Sequence, residues 1–308
     1  MIIIPLAAES LGVRSMATYV EAAGTGLLLD PGATLAPQRF GLPPAPQEWD
    51  ELRRSNDRIS AYAARAQWVF VSHYHEDHFR SDPATYEGRT VLAKDPRRLV
   101  TGAQARRASA LWRALGERAV VEPADGRVLR AGRLELTVSP PLPHGLEGTP
   151  LGHVVALTVA DPAERDRFVF ASDVLGPLSA VAAAYLARER PTVLYLSGPP
   201  SYLEHELGAA AIDRAVQQLL RVIDASGCRV ILDHHALRDP RADERLAPLW
   251  DTGRVVTAAG HLGVERRALE AARRGLWAGA RKPPAKAGTG RAIIARVLPR
   301  SAKGGRAE

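Results

Sequence analysis

Apolar residues in this chain gather in short runs separated by charged or Gly/Pro-rich stretches, and the spacing inside each run predicts an element. The opening MIIIPLAA reads as a first strand. MATYVEA (Met16–Ala22), a Gly-Thr-Gly turn and GLLLD (Gly26–Asp30) read as a β-hairpin. The PGATLAPQRFGLPPAPQ stretch that follows is too long to be a mere connector. Helical spacing then runs from Glu48 to Ala64, and a strand follows at Gln67–Val71. Further strands are expected at Thr90–Lys94, Arg133–Pro140, His153–Ala160, Arg167–Ala171, Thr192–Leu196 and Arg229–Asp233. Helices are expected near 98–116, 178–189, 208–225, 243–249 and 262–277. The helix from Gly208 carries Ile212, Val216, Leu219, Leu220 and Ile223 on one face, an amphipathic stripe made to pack on a sheet. No repeat of fixed period occurs. Strands alternating with helices place the chain in the α/β (α+β) class, with sheets covered by outer helices.

Composition adds limits. At 308 residues, 46% apolar and 24% charged, the chain is an ordinary globular one that can bury a sizeable core. No apolar run approaches the ~20 residues of a membrane span. The opening lacks a charged region, apolar core and cleavage site. No membrane attachment and a cytoplasmic location are therefore expected. The single Cys228, in CRVIL, excludes an intrachain disulfide or a thiolate metal site and reads as packing. The net charge of +7 sits in residues 281–308, which hold eight Lys/Arg and one Glu. The expectation is a neutral folded body over 1–280 and a basic, flexible tail over 281–308. Such a tail can contact nucleic acid through nonspecific electrostatics. Oligomeric state is not legible in the sequence.

The densest chemistry lies in VFVSHYHEDHF, where three of nine histidines fall within six positions. His73, His75, Asp77 and His78 follow the strand Gln67–Val71. His144 follows RLELTVSPPLP, Asp173 follows RFVFAS, and His234 and His235 follow RVILD. Each ligand-type group thus comes directly after an expected strand, where loops gather on one edge of a sheet and side chains converge. Imidazole and carboxylate without thiolate suit Zn, Mn or Fe. His73, His75 and His144 can share one ion, Asp77, His78 and a final His a second, and Asp173 can bridge them. His153 (strand packing), His205 (loop, facing water) and His261 (helix start) lack this context. Tyr74, Tyr202, Arg238 and the RFGLPP loop are weaker candidates for the cleft. Gly-Thr-Gly at 24–26 is too short to argue for phosphate binding.

HYHEDH matches the H-x-H-x-D-H signature of the metallo-β-lactamase fold superfamily. LLLDPG with Asp30, PHG with His144, SD with Asp173 and DHH with His234 follow in that superfamily's order. More narrowly, ESLGVRSMATYVE, LLLDPGATLAPQRFGLPP, SPPLPHG, ASDVLGP and ILDHHALRD resemble a subgroup from archaea and some bacteria. Its members are predicted metal-dependent hydrolases without an assigned substrate. The similarity runs from Ile2 to about Trp277.

The resemblance implies a four-layer αββα metallo-β-lactamase sandwich with two divalent ions, zinc first, manganese or iron as alternatives. It implies His73, His75 and His144 on one ion, Asp77, His78 and the last His on the other, and Asp173 bridging. Position directly after the strand favours His234 as that last ligand, with His235 left open. Asp30 would orient the metal loop by hydrogen bonds. Asp77 and Asp173 would be catalytic: a metal-bridging hydroxide attacks an ester-type or phosphodiester bond while Asp173 orients it. Tyr202 and Arg238 would meet a small-molecule or phosphodiester substrate, and Asp233 or Tyr202 would protonate the leaving group. Rival readings are a nucleic-acid phosphodiesterase or ribonuclease, a mononuclear iron redox enzyme, and a silent binding module. A full second ligand set counts against the last two, and a charge-neutral body against the first.

Overall fold

Phe70 and Phe170 meet edge-on with ring centroids 6.3 Å apart, one from each of two sheets stacked face to face. The computed structural model describes residues 1–279, so the basic tail expected over 281–308 lies outside the described residues. In chain order the first sheet comprises β1 (Ile2–Pro5), β2 (Thr18–Ala22), β3 (Thr25–Leu29), β4 (Trp68–Val71), β5 (Thr90–Ala93) and β6 (Val120–Pro123). Helix α1 (Pro46–Ala63) joins β3 to β4, and α2 (Gly102–Leu115) joins β5 to β6. Strands β1 to β3 are antiparallel, and β3 to β6 are parallel.

The chain then lays down β7 (Val128–Ala131), β8 (Leu134–Val138) and a small pair, β9 (Leu142–Pro143) with β10 (His153–Val154). After these come β11 (Leu157–Asp161), β12 (Asp166–Ser172), α3 (Ala180–Glu189), β13 (Val193–Ser197), α4 (Glu204–Leu207), α5 (Ala209–Ser226) and β14 (Arg229–Asp233). It closes with α6 (Ala242–Arg245), α7 (Ala247–Trp250), β15 (Val255–Val256), α8 (Ala258–Leu262) and α9 (Arg273–Gly279). The second sheet has the order β15-β14-β13-β12-β11-β8-β7, parallel from β12 to β15 and antiparallel elsewhere.

Period-two alternation sorts the side chains into layers. Leu27, Leu29, Phe70, Phe168, Phe170, Tyr195 and Ile231 fill the space between the sheets. Their neighbours Leu28, Val69 and Val71 turn outward onto Ile59 of α1 and Leu111 of α2. On the far side Val169, Leu194 and Val230 turn outward onto Leu186 of α3 and Ile212, Val216 and Leu219 of α5. The result is the expected four-layer αββα sandwich. Cys228 is buried in the outer packing of the second sheet. No helix among the described residues is long and apolar enough to cross a membrane.

Two expected elements are interrupted, each by a tertiary contact. The strand expected over His153–Ala160 is two, because the Val155 amide leaves the sheet to bond Ser72 O at 3.1 Å. The helix expected over 262–277 is replaced by α8 and α9 with irregular chain between. Gly263 ends α8 in a left-handed turn, and the Arg267 amide is taken by Ser10 O at 2.7 Å. His261 lies in the last turn of α8, which Thr257 caps, and so does not start it. Strands β6 and β7 were not expected: Val120 and Val128 on these edge strands face solvent, leaving no alternation to read.

Candidate metal centre

Strands β3, β4, β12 and β14 all end at the same edge of the sandwich, and each releases a polar side chain there. Asp30 follows β3, Ser72 and the His73–His78 loop follow β4, Ser172 closes β12 with Asp173 next, and His234 and His235 follow β14. Asp30, Ser172 and His234 adopt φ of 43°, 51° and 56°. That left-handed backbone costs about 1–2 kcal/mol for a residue with a Cβ. Here it turns a side chain inward where extended backbone would carry it past the edge. A register shift between Phe170 and Ser172 adds to the turn. Gly32 is required beside the metal loop, since a Cβ there would come within 2.7 Å of the amides of His78 and Phe79 and of Glu76 O.

Asp30 is fully buried and ties the two sheets together. Its Oδ1 accepts the Ser72 amide at 2.7 Å. Its Oδ2 accepts the hydroxyls of Ser72 (2.5 Å) and Ser172 (2.9 Å) and lies 2.8 Å from His78 Nδ1.

Around this anchor the expected side chains form two groups. In the first, ligand atoms of His73, His75, His144 and Asp173 lie within 4.8 Å of one another. His73 Nε2 and His75 Nδ1 are 3.1 Å apart, and His144 Nε2 is 3.2 Å from Asp173 Oδ2. In the second, Asp77, His78 and His234 converge in the same way, with His78 Nε2 and His234 Nε2 facing each other at 3.2 Å. Asp173 stands between the groups, its Oδ2 3.7 Å from His73 Nε2 and 3.2 Å from His78 Nε2. His235 comes in from a third side, with Nε2 3.4 Å from Asp173 Oδ2 and Nδ1 2.8 Å from Tyr202 Oη.

These contacts fit a cation better than they fit each other. Asp30 at His78 Nδ1 and Glu9 at His234 Nδ1 (2.6 Å) fix a proton on each Nδ1. The two Nε2 lone pairs then point at one another and repel unless positive charge lies between them. Both ring nitrogens of His144 and Oδ1 of Asp173 are buried without a hydrogen-bond partner among the described residues. The donor set is imidazole and carboxylate, suited to Zn, Mn or Fe.

Electrostatics runs the same way. Burial, then the neighbouring imidazoles, lowers His73 well below the usual histidine range and His75 to about 4, so both rings are neutral donors at pH 7. Burial would also lower His78 and His234, but Asp173 and Glu9 respectively overcome it and raise both. Burial would raise Asp77 and Asp173. For Asp77 the ring of His234 reverses this, and for Asp173 that of His78, so both are held well below the usual carboxylate range.

Some candidates fall elsewhere. Arg238, expected to bind substrate, is 5% exposed. Its Nε donates to Glu9 Oε1 at 2.7 Å and its Nη2 to Asp77 Oδ2 at 3.3 Å, so it braces the ligands from behind. Asp233 accepts the amides of Ser10, His234 and Ala258 and faces away from the cleft, unlike the proton donor expected. Tyr74 is fully buried and donates to Lys94 O in the outer core. Tyr202 is half-buried beside His235, with the Arg39 guanidinium of the long loop 5.0 Å from its ring. His205 is exposed as expected, and His153 is half-buried on β10. Sequence reasoning missed Glu9, which sits on a single 3-10 turn (Glu9–Leu11), and Gln104, whose amide nitrogen lies 3.4 Å from His75 Nε2.

No family model matches the chain. It is 38% identical over 290 residues to a UPF0282 protein of Methanopyrus kandleri, covering 89% of this chain and 98% of that protein. It is 41% identical over 299 residues to a UPF0282 protein of Pyrobaculum arsenaticum, covering 90% and 94%. Unliganded yeast PDE1 has a similar fold, with TM-score 0.50 at 12% identity over 83% of this chain and 97% of that one. A further likeness, TM-score 0.49 at 12% identity over 83% and 96%, is to Tm1679, described as a metal-dependent hydrolase of the beta-lactamase superfamily. The four-layer αββα arrangement is the one that the resemblance of HYHEDH implies, and yeast PDE1 shares the fold.

Proposed function

The chain belongs to the UPF0282 family, and on that premise we propose that it is a dinuclear metal-dependent hydrolase acting on a phosphodiester or ester-type bond. The observation that supports this best is Asp173. One buried carboxylate stands between two ligand groups, each with its own complement of imidazoles. A redox enzyme with one iron would have no use for the second group of Asp77, His78 and His234.

In this reading His73, His75, His144 and Asp173 hold one divalent ion, and Asp77, His78, His234 and Asp173 the other, with zinc the first choice. Such ions supply a water acidic enough to attack at neutral pH, and they offset negative charge on the attacked group. The chain's own residues do the rest. Asp173 orients the attacking water through the oxygen it turns to both groups. Asp30, held by Ser72 and Ser172, keeps His78 in the tautomer that leaves Nε2 free. Glu9 does the same for His234. His235 is 13% exposed, the more open of the adjacent pair, and with Tyr202 Oη on its Nδ1 it faces the incoming substrate. In this reading the Tyr202 hydroxyl, bonded to His235, serves as the proton source for a leaving group.

The test is elemental analysis of protein reconstituted with zinc, manganese or iron, followed by assays on bis-(p-nitrophenyl) phosphate, a thioester and a lactone. About two ions per chain are expected, with turnover of at least one substrate that Asp173→Asn abolishes. No bound metal after reconstitution, or turnover indifferent to Asp173→Asn, sinks the proposal.

A further inference from the structure

Resting on that two-ion reading, we propose that the two sites are unequal. The Asp77/His78/His234 site fills first and keeps its ion, while the His73/His75/His144 site exchanges its own. The difference lies in what stands behind each imidazole. His78 Nδ1 is backed by Asp30 Oδ2 at 2.8 Å and His234 Nδ1 by Glu9 Oε2 at 2.6 Å, all buried. A carboxylate in that position fixes the tautomer, aims the ring and makes its free nitrogen a stronger donor.

No carboxylate backs the first group directly. His73 Nδ1 meets the Ser72 hydroxyl, at 2.9 Å, and reaches Asp30 only through it. His144 Nδ1 has no partner among the described residues. His75 is opposed outright. Gln104 Oε1 accepts the Tyr74 amide at 3.0 Å, which fixes the amide's orientation, and its nitrogen donates to Leu151 O at 2.9 Å. That nitrogen therefore faces His75 Nε2 at 3.4 Å and favours an unprotonated Nε2. The ring proton is then driven to Nδ1, the atom that faces His73 Nε2 and would have to bind the ion.

Charge runs the same way. Asp77 and Glu9 serve only the second group, whereas Asp30 also reaches the first through the Ser72 hydroxyl and Asp173 is shared. Arg238 cancels one of the exclusive charges through Glu9 and Asp77. Of the charges not shared, the second group keeps a surplus of one negative charge, and the first group has none.

The test is graded chelation of the reconstituted holoprotein, with metal per chain read by mass spectrometry and the site identified from Co²⁺ absorption bands. We expect a plateau at one ion per chain, with the two dissociation constants at least about tenfold apart. His144→Ala should leave the plateau ion in place. Glu9→Gln should weaken it about 10–100-fold and Glu9→Asp less, with folding checked by circular dichroism. Simultaneous loss of both ions from the unmodified protein overturns the inequality and leaves the hydrolase reading standing. So does a plateau ion lost in His144→Ala but kept in Glu9→Gln. Failure to bind any metal overturns both.

Discussion

The two sheets furnish the metal centre by different means. The first sheet gives most of its share from one loop after β4, where His73, His75, Asp77 and His78 fall within six residues. That loop is closed by its own backbone, with the amides of His78 and Phe79 both bonded to His75 O. The rest comes from separate places: His144 after β9 of the small β9–β10 pair, and from the second sheet Asp173 after β12 and the adjacent His234 and His235 after β14. Local bonds here are single ones, His144 amide to Gly152 O and His234 amide to Asp233 Oδ1. Asp173, His234 and His235 meet because β12, β13 and β14 are parallel neighbours ending at one edge, and buried polar contacts reach across. The first half is closed largely within its own loop, with Asp30 of the β3 edge as its anchor, whereas the second depends on the packing of separate elements.

Substitutions can sharpen or break that contrast. The largest effect is expected from Asp173→Asn, which removes the one carboxylate common to both groups. Metal content should fall below two per chain, and turnover should drop by more than the roughly 100-fold typical of losing an outer hydrogen-bond partner. On the local side, Asp30→Asn should weaken metal binding about 10–100-fold, measured by competition with a chromophoric chelator. If the loop were held by its backbone alone, affinity would not move. On the tertiary side, the buried pair Arg273–Glu48, joined at 2.7 and 2.8 Å with both residues fully buried, ties α9 to the start of α1. Arg273→Ala should cost about 3–5 kcal/mol because it strands the Glu48 charge. Replacing both residues by Met should recover most of the loss in a denaturant melt.

The smallest effect concerns Glu270, which accepts both Arg14 donors at 2.6 and 2.7 Å. Burial would raise this carboxyl, but Arg14, with Arg238 and Arg39, lowers it below its ordinary value of 4.5. A depressed carboxyl stabilises the fold above its unfolded value and ceases to do so as pH falls through its folded one. Glu270→Gln should therefore cost about 2 kcal/mol near pH 7. The gap from the unmodified protein should start to close as pH drops past 4.5. A gap independent of pH would mean that the contact acts by shape and not charge.

How much of this was legible follows from the same contrast. The clustering at HYHEDH was legible because its ligand-type side chains are neighbours in sequence, and the core strands because Val69–Val71, Phe168–Ala171 and Val230–Leu232 alternate or run apolar. Glu9 could not be read, since its partner His234 is 225 positions away and a carboxylate on a short polar turn looks like any other. Arg238 beside a ligand suggested substrate binding, and only the placement of Glu9 shows where its charge is spent. The strand expected over His153–Ala160 had the right pattern, but its Val155 amide serves Ser72 on the opposite sheet. Periodicity reports which face a side chain prefers, and it does not report which distant carbonyl will claim a backbone amide.

The Arg273–Glu48 pair also bears on the order in which a growing chain can be completed. Its members are 225 residues apart, the same separation as Glu9 and His234. Until α9 leaves the ribosome, Glu48 lacks the Arg273 charge that pairs with it among the described residues, so the N-terminus of α1 and the long loop before it lack a contact they close against. That loop carries Arg39 onto Tyr202, which bonds His235. A nascent chain released before α9 should thus keep the 31–47 loop open to protease, whereas the full chain should protect it. Synthesis itself would then act as a timer that keeps the centre unfinished until nearly all of the fold has been made.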